Sequence, residues 1–252
     1  MPISLCLPLG SFHAPARRLA AQVDAASKKP LCKRLWQTIV RAKVNAQAAL
    51  LQRRGLKYHD LIRLATECKS GDPTNIEAQA SRIYWQRLFG PSFRRVTDSA
   101  ELAVDENRYL NYGYAVLRAL VCRSLCGAGL YPGIGIHHHH RNNPFPLADD
   151  MMEPFRPLVD EGALQLRERS GRNGPMDRGT KEHLLSLVRQ RVLIDGQMRG
   201  LCDALTRIAS RLAAVYEGDE KEMALPELWP RNNAHDDPEK ETPEQSGVPA
   251  HL

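Results

Sequence analysis

Apolar residues return along this chain with the period of a helix, and that pattern sets the fold class before any other feature does. Leu35, Ile39, Ala42, Ala46, Ala49 and Leu50 mark one stripe. Pro30 is placed to open that helix, where its missing N–H would be unpaired anyway, and Gly55 to close it. Ile76, Ala80, Ile83, Tyr84 and Leu88 form a second stripe, ended by Gly90–Pro91, with Thr74 as N-cap and Glu77 at the capping-box position. Leu110, Tyr114, Leu117 and Val121 form a third, over about 107–126. Shorter helices are expected over 58–69 and between Pro144 and Pro157. Two more, over about 181–194 and 196–216, carry Leu184, Leu185, Val188 and Val192, then Leu201, Leu205, Ile208 and Leu212. Residues 91–106 read as a loop and 161–180 as a polar, Gly-rich connection. The expected fold is all-α, a multi-helix body over residues 14–216. Residues 1–13 read as an irregular lead, broken by Pro2, Pro8 and Gly10.

The formal charge of +6 conceals an asymmetry. From Glu217 to Leu252 there are ten acidic and three basic residues, net −7, so residues 1–216 carry +13. A body so basic attracts polyanions, with phosphate contacts supplying much of the affinity. An Arg-rich helical surface that is merely soluble is the plainer reading of the same charge. The acidic segment 217–252 contains prolines and few apolar residues, and it is expected to be disordered. Cys6, Cys32, Cys68, Cys122, Cys126 and Cys202 are scattered without a CxxC pair, which argues against a zinc site or an oxidising compartment. No apolar run reaches membrane-spanning length, and the start MPISLCLPLG lacks the charged flank of a signal peptide. These features predict a cytoplasmic protein.

The chemistry is concentrated in GIGIHHHHRNNPFPLADDMMEPFRPLVD at 133–160. Four consecutive histidines, His137 to His140, precede Asp149, Asp150 and Glu153. Asp150 and Glu153 are three apart and share a helix face. A solvated loop followed by an acidic helix start accounts for the same residues without function. Glu77, beside the apolar stripe of its helix, is either a capping acid or a partly buried carboxylate in need of a cation. One His with two carboxylates suits a hard divalent ion that keeps positions open for water and phosphate. Arg82, Arg87, Arg94, Arg95, Arg118 and Arg123 flank these segments, to be divided between phosphate and local acids. Tyr84, Trp85, Phe89, Tyr112 and Tyr114 fall on helical stripes and read as core.

Three segments in order, EAQASRIYWQRLFG, NRYLNYGYAVLRALVCRSLCGAGLYPGIGIHH and DDMMEPFRPLVD, resemble the CRISPR-associated integrase/endonuclease of spacer acquisition, the Cas1 family, in its type II form. The resemblance runs from about Pro2 to Val215. It implies a helical catalytic domain that follows a β-rich domain. It also implies one Mg²⁺ or Mn²⁺ ion held by Glu77, His138 and Glu153. His138 is favoured as the second histidine after Gly135–Ile136 and the one 15 residues before Glu153, with His137 and His139 left open. Asp150 is implied behind the metal ligands or as a helix cap. The stretch MPISLCLPLGSFHAPARRLAAQ resembles the junction after the β domain, so most of that domain is expected to be absent, with residues 1–13 its remaining end or a linker. The implied activity is insertion of protospacer DNA into a CRISPR array by 3′-OH attack on a repeat phosphodiester. The implied partners are DNA, a second copy of the chain in a homodimer, and the small Cas2 protein. Two alternatives stand beside this reading: a catalytically inactive DNA-binding remnant of the family, and a non-enzymatic His-rich metal-binding protein.

Overall fold

The fold is that of a computed structural model, which describes residues 13–97 and 105–230, with side chains from residue 16 onward. Most of the lead 1–13, Cys6 and the far tail 231–252 lie outside the described residues. Nine α-helices are found among those described: α1 (His13–Ser27), α2 (Lys29–Arg53), α3 (His59–Glu67), α4 (Ile76–Phe89), α5 (Asn107–Gly127), α6 (Pro146–Met152), α7 (Arg156–Ser170), α8 (Arg178–Ser186) and α9 (Leu201–Glu217). Single 3-10 turns follow α6 at Glu153–Phe155 and α8 at Leu187–Arg189. The helical expectation is met, with the addition of one antiparallel hairpin, β1 (Arg191–Ile194) and β2 (Gln197–Gly200).

The long helix α2 is the spine. Its stripe of Leu35, Ile39, Val40, Val44, Leu50 and Leu51 is buried, and it packs against α3, α4, α7 and the 153–155 turn. Helix α5 packs against α6, α7 and α9. Gly113 of α5 faces Val159 of α7, and a methyl group at Gly113 would run into the valine side chain. Glycine is therefore what lets these two helices approach. The five described cysteines are free thiols. No helix among the described residues is long and apolar enough to cross a membrane.

Four expectations are corrected. The segment 161–180 is not a connection: α7 runs to Ser170 and buries Leu164 and Leu166. Gly162, which reads as a breaker, lies inside α7 where Leu187 packs, 2.8 Å from where its Cβ would be. The helix expected over 181–194 ends at Ser186, and the chain reverses at Asp195–Gly196, with φ of 54° and 68°. Those left-handed values suit a two-residue hairpin turn. The acidic tail is not disordered from Glu217. Met223 and Leu228 are buried, and Glu227 exchanges backbone hydrogen bonds of 2.9 Å with Leu193 of β1. The apolar residues Met223, Leu225, Leu228 and Trp229 are close enough together to dock the segment despite its charge. Finally, Thr74 is not the cap of α4. Asn75, at φ 55°, accepts from Ala78 N–H at 3.4 Å, and Asp72 accepts from Ile76 and Glu77 N–H at 2.7 and 2.9 Å.

Candidate metal centre

The capping of α4 by Asp72 and Asn75 leaves Glu77 no capping work. Its Oε1 instead meets Lys43 Nζ from α2 and accepts from Ser81 Oγ at 3.2 Å. The same Lys43 ammonium lies 2.6 Å from Glu153 Oε2. Glu153 begins the turn after α6, where Pro154 stops α6 from continuing regularly, and Arg156 Nε pairs with its other oxygen at 2.9 Å. Two carboxylates distant in sequence thus converge on one cationic position. Lys43 and Glu153 are buried, while the Glu77 side chain is 29% exposed.

Asp150 does not converge on that position. Fully buried on α6, it accepts from the backbone N–H groups of Ile136, His137 and His138 at 2.6, 3.0 and 3.2 Å, and lies 2.5 Å from His138 Nδ1. One carboxylate therefore clamps the start of the histidine run. Gly135 is required at the close approach: a Cβ there would meet the His138 carbonyl, and Asp150 Oδ2 at 3.2 Å.

The clamp separates the four histidines. His137 stacks on Trp36 of α2, ring centroids 4.0 Å apart and 3° from parallel. His138 meets the same indole edge-on at 5.6 Å. His139 and His140 are exposed, with His140 Nδ1 accepting from Asn142 N–H at 3.3 Å. With Nδ1 of His138 taken by Asp150, Nε2 is the nitrogen left to act as a ligand. A carboxylate behind a histidine is the usual means of fixing a ligand's tautomer and orientation.

Burial alone would neutralise these groups, but their neighbours prevent it. Burial pushes the Glu153 carboxyl up, yet Arg156 and Lys43 together hold it at about 2. Burial pushes Lys43 down, and Glu153 and Glu77 more than offset it, so the amine stays charged. The bond to Asp150 raises His138 above the ordinary imidazole range.

Beside His138 opens a cleft of about 410 Å³ lined by Arg95, Asn111, Tyr114, Arg118, Asp149 and Arg156 among others. Arg95, Arg118 and Arg156 bring three guanidinium groups to its lining, a composition that suits a phosphate backbone. Beneath them Asp160 accepts hydrogen bonds from Tyr84 (2.7 Å) and Tyr114 hydroxyls, and Arg156 and Arg95 sit over the Tyr114 ring at 4.6 and 5.2 Å. The flanking arginines divide accordingly. Arg95 and Arg118 line the cleft, Arg118 lying 3.9 Å from Asp149. Arg87 is committed to Asp60 at 2.5 and 2.6 Å, and Arg94 to the carbonyls of Pro91 and Phe93. Arg82 and Arg123 are exposed. Tyr84, Phe89 and Tyr114 are core, with Trp85 and Tyr112 packed against it.

The residues singled out from the sequence are thus neighbours, but not a ready-made shell. Among the described residues no three His, Cys, Asp or Glu side chains form a group able to hold a metal ion, and Lys43 stands between Glu77 and Glu153. The donor set nevertheless fits a cation. Glu153 Oε2 is buried and faces the Lys43 ammonium at 2.6 Å, so a positive charge already stands at the position that both carboxylates share. Sequence reasoning missed Lys43. The available signal was a lysine four residues after Ile39, on the buried side of α2.

A family model described as "CRISPR associated protein Cas1" matches residues 8–173. A CRISPR-associated endonuclease Cas1 from Neisseria meningitidis is 37% identical over 233 residues, covering 91% of this chain and 74% of that protein. The chain spans about half the length of another such relative, from Francisella tularensis, at 28% identity. Among solved structures, a casposase bound to an integration product superposes with a TM-score of 0.70 at 20% identity, covering 86% of this chain and 69% of that one. A chain of a partial Cas6-RT-Cas1–Cas2 complex superposes with a TM-score of 0.68 at 19% identity, covering 85% and 74%.

Proposed function

The chain belongs to the Cas1 family of CRISPR-associated proteins, and from that premise we propose that it is a divalent-metal-dependent DNA endonuclease and integrase. Its Mg²⁺ or Mn²⁺ ion is held by Glu77, His138 and Glu153. One observation carries this reading: two carboxylates, from α4 and from the turn after α6, meet at one buried cationic position, with a carboxylate-backed histidine nearby. Bound there, the ion would polarise a phosphodiester of the repeat and stabilise the charge that develops as a protospacer 3′-OH attacks.

The chain's own residues supply the rest. Asp150 holds the His138 ring so that Nε2 stays available. Arg95 and Arg118 offer guanidinium groups to the DNA backbone along the cleft. Arg156 keeps Glu153 ionised by pairing with its second oxygen. The partners of this reading are protospacer and repeat DNA, a second copy of the chain, and Cas2, the last suggested by the Cas1–Cas2 assembly that shares the fold. A metal-binding function resting on the histidine run as a whole gains no support, because the run is divided: His137 stacks on Trp36, His138 is held by Asp150, and His139 and His140 are exposed.

The test is Mn²⁺-dependent nicking of branched or repeat-containing DNA by the parent, Glu77→Ala and His138→Ala. Nicking by the parent alone is expected. A folded parent that binds DNA and never nicks it would leave the inactive remnant as the correct reading.

A further inference from the structure

Lys43 is the group that a divalent ion at this site must contend with. Its ammonium contacts Glu77 and Glu153 together, its side chain is 8% exposed, and it projects from the spine helix of the fold. A surface lysine would be an unremarkable partner for either acid. A buried one placed between two acids from distant segments is a built feature. The local charge is already balanced: Glu77 and Glu153 against Lys43 and Arg156. A divalent ion added without other change would leave a surplus of two positive charges in a poorly solvated place, which is strongly opposed.

Resting on the metal-site reading above, we propose that Lys43 is an internal counter-cation that occupies the ion's position in the free protein and must be displaced for the ion to load. The lysine stem is flexible and its ammonium is a point charge, so it can leave without moving α2. Two consequences follow from charge balance. The ion binds weakly to the protein alone. It binds more tightly when DNA phosphates bring negative charge into the adjoining Arg-lined cleft, so metal loading is coupled to DNA.

The experiment measures Mn²⁺ binding by the electron paramagnetic resonance signal of the free ion, with and without duplex DNA. The proteins are the parent, Lys43→Met, and His138→Ala. Lys43→Met keeps the stem and removes the charge. It is expected to bind Mn²⁺ at least tenfold more tightly than the parent without DNA, and to gain much less from adding DNA. Equal or weaker Mn²⁺ binding by Lys43→Met overturns the proposal. Mn²⁺ binding that is unaffected in His138→Ala would instead overturn the assignment of the metal site itself, so the two failures are distinguishable. Should Lys43→Met not fold, the parent serves through acetylation of its lysines read by mass spectrometry. Lys43 is expected to be protected without metal and labelled at saturating Mn²⁺. Equal protection in both states overturns the proposal.

Discussion

Replacing Asp150 with alanine is expected to damage the fold by releasing the loop that begins the histidine run. The carboxylate accepts from three consecutive backbone N–H groups and contacts one imidazole nitrogen, and it is wholly buried. Ile136 is buried too, so stranding its N–H costs about 1–3 kcal/mol. The N–H groups of His137 and His138 lie where water can reach, so each costs less, about 0.5–1 kcal/mol. Together the loss is about 2–5 kcal/mol, or a fall in Tm of roughly 5–15 °C for a chain of this size. Asp150→Asn keeps the volume and one carbonyl acceptor, and should lose roughly half as much. Thermal unfolding followed by circular dichroism measures both. His138, released from its partner, should also titrate lower than in the parent by NMR, since the Asp150 bond is what raises it. A loss in Asp150→Ala below about 0.5 kcal/mol would refute the claim that this side chain organises the loop.

Two further perturbations test features away from the histidine run. Asp160 titrates at about 6 rather than 3.8, because burial outweighs the two tyrosine hydroxyls, Arg156 and Arg95. The folded state binds this proton more tightly than the unfolded, so the associated stability is present below pH about 4 and is lost as pH rises through about 6. Asp160→Asn should flatten that dependence and match or exceed the parent at pH 8, by up to about 3 kcal/mol. Urea midpoints at pH 5 and pH 8 decide it, and a steeper pH dependence in the variant would count against it. Ending the chain after Glu217 removes the buried side chains of Met223 and Leu228 and the backbone pairing of Glu227 with β1. The expected loss is about 3–6 kcal/mol as an upper estimate, read as a lower Tm, and an unchanged Tm would mean that the segment does not support the body.

How far the molecule could be read from its sequence depended on whether a signal was local. Helices α2, α4, α5 and α9 were legible because each combines an apolar stripe with a Gly or Pro stop. Helix α7 was hidden by Gly162, whose reason for being glycine is Leu187, a residue supplied by another element. The hairpin was hidden because Val188 and Val192 suit a helical stripe as well as a strand. Asp195–Gly196 was the turn signal that outweighs them. At the site, Glu77, Asp150, Glu153 and the histidines could all be singled out, because those residue types in one neighbourhood have few structural excuses. Lys43 could not be. A lysine among apolar residues is ordinarily solvated, and its burial is explained only by two acids that lie 34 and 110 positions away.

The clamp at Asp150 counts outward from Gly135, and it grips positions rather than a particular one of four identical side chains. With one histidine fewer in the run, positions 137, 138 and 139 would still be histidine. The two histidine positions that Asp150 holds are thus set by their distance from Gly135 and not by the length of the run.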